Sequence, residues 1–71
     1  MERFFVIFSR IAGSYLYLER ENCWQLTSLD YAERFETLPE AVNVKRELKK
    51  TFSDLIIVEV MATRIIKNIF E

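Results

Sequence analysis

Side chains able to do chemistry are few in this chain, and what is missing matters as much as what is present. The 71 residues include no histidine. That removes imidazole general acid–base catalysis and histidine triads, and with them metal sites built on imidazole. The one cysteine, Cys23, follows Arg20 closely. A neighbouring cation can lower a thiol pKa, but a half-buried strand cysteine is the plainer reading. Glu19 and Glu21 could pair as acid and base, yet they flank an expected turn, where solvated carboxylates are the simpler account. A single glycine leaves no phosphate-cradling loop. The expectation is a protein that is not an enzyme and uses no cofactor or metal.

Binding chemistry has more material. Lys45, Arg46, Lys49 and Lys50 form a short basic ridge on one expected helix. Such a ridge can contact phosphates, although Glu47 interrupts it and a solvated helix face explains it equally well. Tyr15 and Tyr17, two apart on an expected strand, could stack bases or make ordinary cross-strand contacts. The net charge of −1 argues against bulk attraction to nucleic acid or anionic lipid. Its distribution is uneven: residues 1–44 carry four Arg against seven acids, and residues 45–71 carry six Lys/Arg against four acids. Eleven acids against ten bases are too few for a mimic of DNA. Direct nucleic-acid binding is therefore the alternative, and protein binding leads. The residues expected to carry it are Tyr15, Tyr17, Trp24, Arg46, Lys49 and Lys50.

The elements that must position these residues are legible in outline. A chain of this length makes one domain, residues 1–71. Its 51% hydrophobic content and ten aromatics exclude disorder. "RFFVIFSR" reads as a strand apolar on both faces, which suits a central position. Gly13 then supplies the positive φ of a turn. "YLYLERENCWQLTS" reads as a hairpin turning at Glu21 and Asn22. Leu16 and Leu18 face the core, Tyr15, Tyr17 and Glu19 face outward, and Trp24 lies on an edge strand. "SLDYAERFE" reads as a connector with one helical turn, capped by Asp30 with Glu33 completing a box, and anchored by Ala32 and Phe35.

"TLPEAVNVKRELKKTF" carries the clearest local signal. Thr37 and Glu40 form a capping box, and Pro39 falls in the first turn. Ala41, Val44, Leu48 and Phe52 make one apolar stripe. The basic residues cluster toward the C-terminal end, where they suit the helix dipole, and the helix is expected to end near Phe52 or Ser53. "DLIIVEVMAT" reads as a second strand apolar on both faces, beside the first. Ala62, Ile65, Ile66 and Ile69 fit a helical stripe, but the composition of the tail fits a strand equally.

The expected fold is α+β: a small β-β-β-α-β domain whose three- to four-stranded, mainly antiparallel sheet has one helix packed on one face. One helix covers only one face. The second must be covered by the tail, by a second copy or by a partner, so a homodimer is expected. One cysteine makes no internal disulfide, which points to a reducing cytosol. "MERFFVIFSRIAG" does not read as a signal peptide, and no run approaches the roughly 20 apolar residues of a membrane span.

The spaced pattern "YLYL…W…YAERFETLPEA…L…IIVEV", with Ala32, Phe35, Thr37, Glu40 and Ala41 at its centre, resembles a class of very short proteins from phages and mobile elements of Gram-positive bacteria. The resemblance covers most of the chain, whose hairpin carries fewer Gly and Asn than is usual there. It implies binding to a host protein or ribonucleoprotein complex in the bacterial cytosol. Inhibition of a host nuclease or defence complex, as by anti-CRISPR proteins, is one such function. On that reading the basic ridge would touch bound guide RNA and the aromatic hairpin would fill a pocket. A structural or assembly homo-oligomer is the further alternative.

Overall fold

The computed structural model describes residues 3–61 and 65–71. Its strands are β1 (Arg3–Ser9), β2 (Ser14–Arg20), β3 (Cys23–Thr27), β4 (Leu55–Met61) and β5 (Ile66–Phe70), with one helix, α1 (Leu38–Leu48). They form a five-stranded antiparallel sheet in the order β3-β2-β1-β4-β5. The sheet is larger than the three or four strands expected, because the tail adds β5. Ala62, part of the helical alternative for that tail, lies outside the described residues.

The centre is where the sequence pattern places it. β1 and β4 pair along their whole length, from Arg3 opposite Met61 to Ser9 opposite Leu55. Their alternating apolar side chains divide between the two faces. On one face Phe5, Ile7, Leu16, Leu55 and Ile57 pack with Ala41 and Leu48 of α1. On the other, Phe4, Val6, Ile56, Val58 and Val60 are buried with Ala32. Gly13, at φ 67°, closes the β1–β2 turn. Asn22, at φ 59°, serves the β2–β3 turn.

At the start of α1 the Thr37 hydroxyl accepts the Glu40 amide at 3.4 Å and donates to its carboxylate at 3.0 Å. Pro39 stands in the first turn, as expected. The helix ends at Leu48, short of Phe52; a turn follows, in which the Phe52 amide returns to the Leu48 carbonyl.

The second face is covered by the connector, which corrects the expectation that the tail, a copy or a partner must do it. β2 pairs with β1 only at Phe8–Tyr15 and Ser9–Ser14 and then diverges. The connector fills the gap. Phe35 exchanges both backbone hydrogen bonds with Phe5, each 2.8 Å, and the Glu33 amide donates to the Leu16 carbonyl at 3.0 Å. So pinned, the connector lays Leu29 and Ala32 on the second core and stacks the Arg34 guanidinium 4.2 Å from the centre of the Phe4 ring. Its helical piece is a 3-10 turn, Leu29–Tyr31, entered from Ser28 without a side-chain cap. Asp30 therefore does not cap it. Glu33 instead accepts the Leu18 amide at 3.2 Å.

Candidate partner-binding surface

The six residues expected to bind a partner lie in three places. Tyr15 and Tyr17, with the odd parity of β2, belong to the second face. Tyr15 is half-buried, its ring 4.8 Å from that of Phe8. Burial raises the pKa of its hydroxyl. Trp24 lies toward the helix face, half-buried against the first core. The three aromatics therefore do not share one surface: Tyr15 and Tyr17 lie on the second face and Trp24 on the helix face.

Arg46, Lys49 and Lys50 lie on α1 and the turn after it, on the opposite side of the sheet from Tyr15 and Tyr17. Arg46 and Lys49 join Val42 and Lys45 around a shallow depression on the helix. Lys45 is already engaged, donating to the Glu71 carbonyl at 2.6 Å, and Arg46 reaches the Asn43 side chain at 3.4 Å. Among the described residues no cluster of His, Cys, Asp or Glu is gathered as a metal site requires. The Cys23 thiol donates to Glu19 at 3.7 Å and accepts from the Gln25 amide at 3.6 Å.

The only charged side chain among the buried residues described is Glu59, in the middle of β4. Both its oxygens are used. Asn68 of β5 donates to one at 2.6 Å and Arg3 of β1 to the other at 2.9 Å. The Asn68 hydrogen bond first, then Arg3, hold its carboxyl below the usual carboxylate range against the opposing effect of desolvation. This cluster ties three strands together, each oxygen of the buried carboxylate holding one donor.

What remains open is the two edges of the sheet. β3 carries Cys, Trp, Gln, Leu and Thr, with no charge and no proline. It pairs regularly with β2 from Leu18–Trp24 to Tyr15–Thr27. Leu18 and Leu26, 38% and 45% exposed, continue the apolar helix face past the reach of α1, which packs over β1 and β4. β5 is interrupted by a register shift that leaves Lys67 without a partner on β4. Ile66 and Ile69 are exposed there on the second face, opposite Val60 and Val58.

Comparison with protein-family models, curated proteins and solved structures gives no match. Among the described residues no helix is long and apolar enough to cross a membrane.

The position of Trp24 at an edge was readable from the sequence. The third strand was also expected to be an edge available for pairing; the exposure of Leu26 on it and Leu18 beside it was not foreseen. The available signal for an open edge was compositional: "CWQLT" is a strand without any residue that discourages pairing.

Proposed function

We propose that this chain is a non-catalytic protein-binding module that takes up an extended polypeptide along β3. The observation that carries the reading is the state of that edge. An open row of backbone donors and acceptors is a template for another strand, and proteins usually blunt it with Lys, Pro, a bulge or a covering loop. From Trp24 to Thr27, β3 has none of these devices among the described residues. Main-chain hydrogen bonds would supply affinity, and the apolar strip of Leu18, Trp24 and Leu26 would supply side-chain selection. Stoichiometric block of a host nuclease or defence complex is the finer proposal, and the sequence resemblance carries it.

The edge can be tested with one substitution. Leu26→Pro removes a backbone donor from β3, and proline is tolerated on an edge strand where its amide would face solvent. Capture of partners from a bacterial lysate by the wild-type chain, lost in Leu26→Pro with circular dichroism unchanged, is the expected result. Equal capture by both chains would count against strand uptake at β3.

A second reading has its own observation, the depression lined by Lys45, Arg46 and Lys49. As a nucleic-acid accessory protein, the chain would bind oligonucleotides with steep salt dependence, and Lys49→Glu would abolish a gel shift.

A further inference from the structure

We propose that the strand added to β3 is the β3 of a second copy of this chain, laid antiparallel about a two-fold axis through Gln25. The inference rests on the edge reading above and names its occupant. Its register follows from which backbone groups face outward. On β2, the Leu16 carbonyl accepts the Glu33 amide, and the Leu18 amide donates to the Glu33 carboxylate. Leu16 and Leu18 therefore turn their backbone groups away from β3. Hydrogen-bonding direction alternates along a strand, so Tyr15 and Tyr17 bond to their partners Thr27 and Gln25. On β3 the alternate residues, Trp24 and Leu26, direct their N–H and C=O groups to the open side.

One antiparallel register uses all four of those groups within both strands. Trp24 stands opposite Leu26 of the second copy, Leu26 opposite its Trp24, and Gln25 opposite Gln25. Shifted one way, Leu26 meets Asn22, whose φ of 59° takes it out of extended conformation. Shifted the other way, Trp24 meets Ser28, beyond the end of β3 at Thr27.

Charge supports the same occupant. β3 is uncharged, so two copies oppose no like charges. Pairing through β5 would instead bring two Lys67 side chains onto one short ladder. Packing agrees as well. Trp24 and Leu26 of each copy would meet on the helix face as one apolar strip between the two α1 helices. On the other face the two Gln25 amides stand side by side and can hydrogen-bond. Five residues a side is well under the roughly 20–30 of a standard interface, so the dimer is weak and depends on concentration.

Sedimentation equilibrium of the purified chain over roughly 10 µM to 1 mM, the range of weak association, tests this directly. The weight-average mass is expected to rise from 8.5 kDa toward twice that value. Leu26→Pro should stay monomeric throughout with its circular dichroism unchanged. The register has its own test. In a Cys23→Ser background, Gln25→Cys treated with oxidised glutathione should form a disulfide-linked dimer, because directly opposed residues of a non-hydrogen-bonded pair fall within bridging distance. Ile11→Cys in the same background, exposed and remote from β3, should not. A dimer that survives Leu26→Pro, or one in which Gln25→Cys fails to cross-link, would place the contact elsewhere and overturn the proposal. A strict monomer whose lysate capture still depends on Leu26 would refute the second copy and leave the edge reading standing. A strict monomer whose capture ignores Leu26→Pro would refute both.

Discussion

The two edges of this sheet are equally long and equally open, yet they are built differently. β5 carries its guards with it. A register shift interrupts its ladder, and Lys67 stands where a foreign strand would have to dock. It is also fastened from several directions: Asn68 to buried Glu59, Phe70 against the first core, and Glu71 to both Lys45 and Arg10. β3 has no charge and lighter fastening; its ladder with β2 is regular from Trp24 to Thr27, and the register shift between Leu18 and Arg20 places the extra residue on β2 rather than on the edge strand. Its hairpin meets β1 at only two residue pairs and leans on Leu16, Trp24 and the two hydrogen bonds to Glu33. A bulge or a charged residue on an edge strand is a recognised defence against unwanted pairing. That β5 carries both on the edge strand itself, whereas β3 is uncharged and its register shift falls on β2, is the reason to read β3 as an interface.

The largest effect should come from the hairpin's main anchor. Leu16 is fully buried, the one residue of β2 in the first core. Leu16→Ala removes those contacts and leaves a cavity, and a loss of about 3 kcal/mol is expected in denaturant unfolding. Hydrogen exchange would show where the loss is spent. β3 amides should lose protection ahead of those of β4 and β5. Uniform loss across all five strands would mean that the hairpin is no more loosely held than the rest.

A smaller effect distinguishes how β5 is held. The Glu59 carboxyl has its folded pKa depressed, chiefly by Asn68 and then by Arg3. Its stabilising contribution is therefore complete above the unfolded carboxyl value, about 4.3, and is lost as pH falls through the lower folded value. Asn68→Ala should lower Tm by a few degrees near neutral pH and shrink the wild-type loss on acidification. Hydrogen exchange should place the acid-induced opening at β5 and leave β3 unchanged. An identical acid profile in wild type and variant would remove Glu59 from the account.

The contrast also explains what could be read in the sequence. β1 and β4 were legible because each is a short run apolar at consecutive positions and rich in β-branched or aromatic residues, which suits a strand buried on two faces. α1 was legible from Thr37, Pro39 and Glu40, which act within one turn. The tail was ambiguous for a physical reason. The register shift at Lys67 puts Ile66 and Ile69 on the same face of a strand although they are three residues apart, and that spacing mimics a helix. The connector's role was hidden because it depends on Phe35 pairing with Phe5, thirty positions away. Asp30 and Glu33 looked like a local capping box, whereas Glu33 is used by Leu18. Of the candidate site, the edge position of Trp24 was foreseeable. The separation of Tyr15 and Tyr17 from the basic residues was not, since nothing local shows which face of the sheet receives α1.

The smallest expected change in stability is at Lys67, and it bears most directly on the guarded edge. Lys67 is exposed and has no strand partner, so Lys67→Thr should alter unfolding free energy by no more than about 0.5 kcal/mol. Its effect should appear in association. In a Leu26→Pro background, where β3 is blocked, the chain is expected to be monomeric. Adding Lys67→Thr removes the charge from β5 and leaves Ile66 and Ile69 beside an uncharged edge, which is a sticky arrangement. Light scattering of the double variant should then rise with concentration, now through the opposite side of the sheet. If it stays monomeric, the interruption of the ladder alone protects β5, because a strand that cannot present consecutive donors and acceptors is a poor template whatever its charge. Either result assigns the guard to a physical cause. β3, which carries no charge and no inserted residue of its own, is expected to associate in both cases once Leu26 is restored.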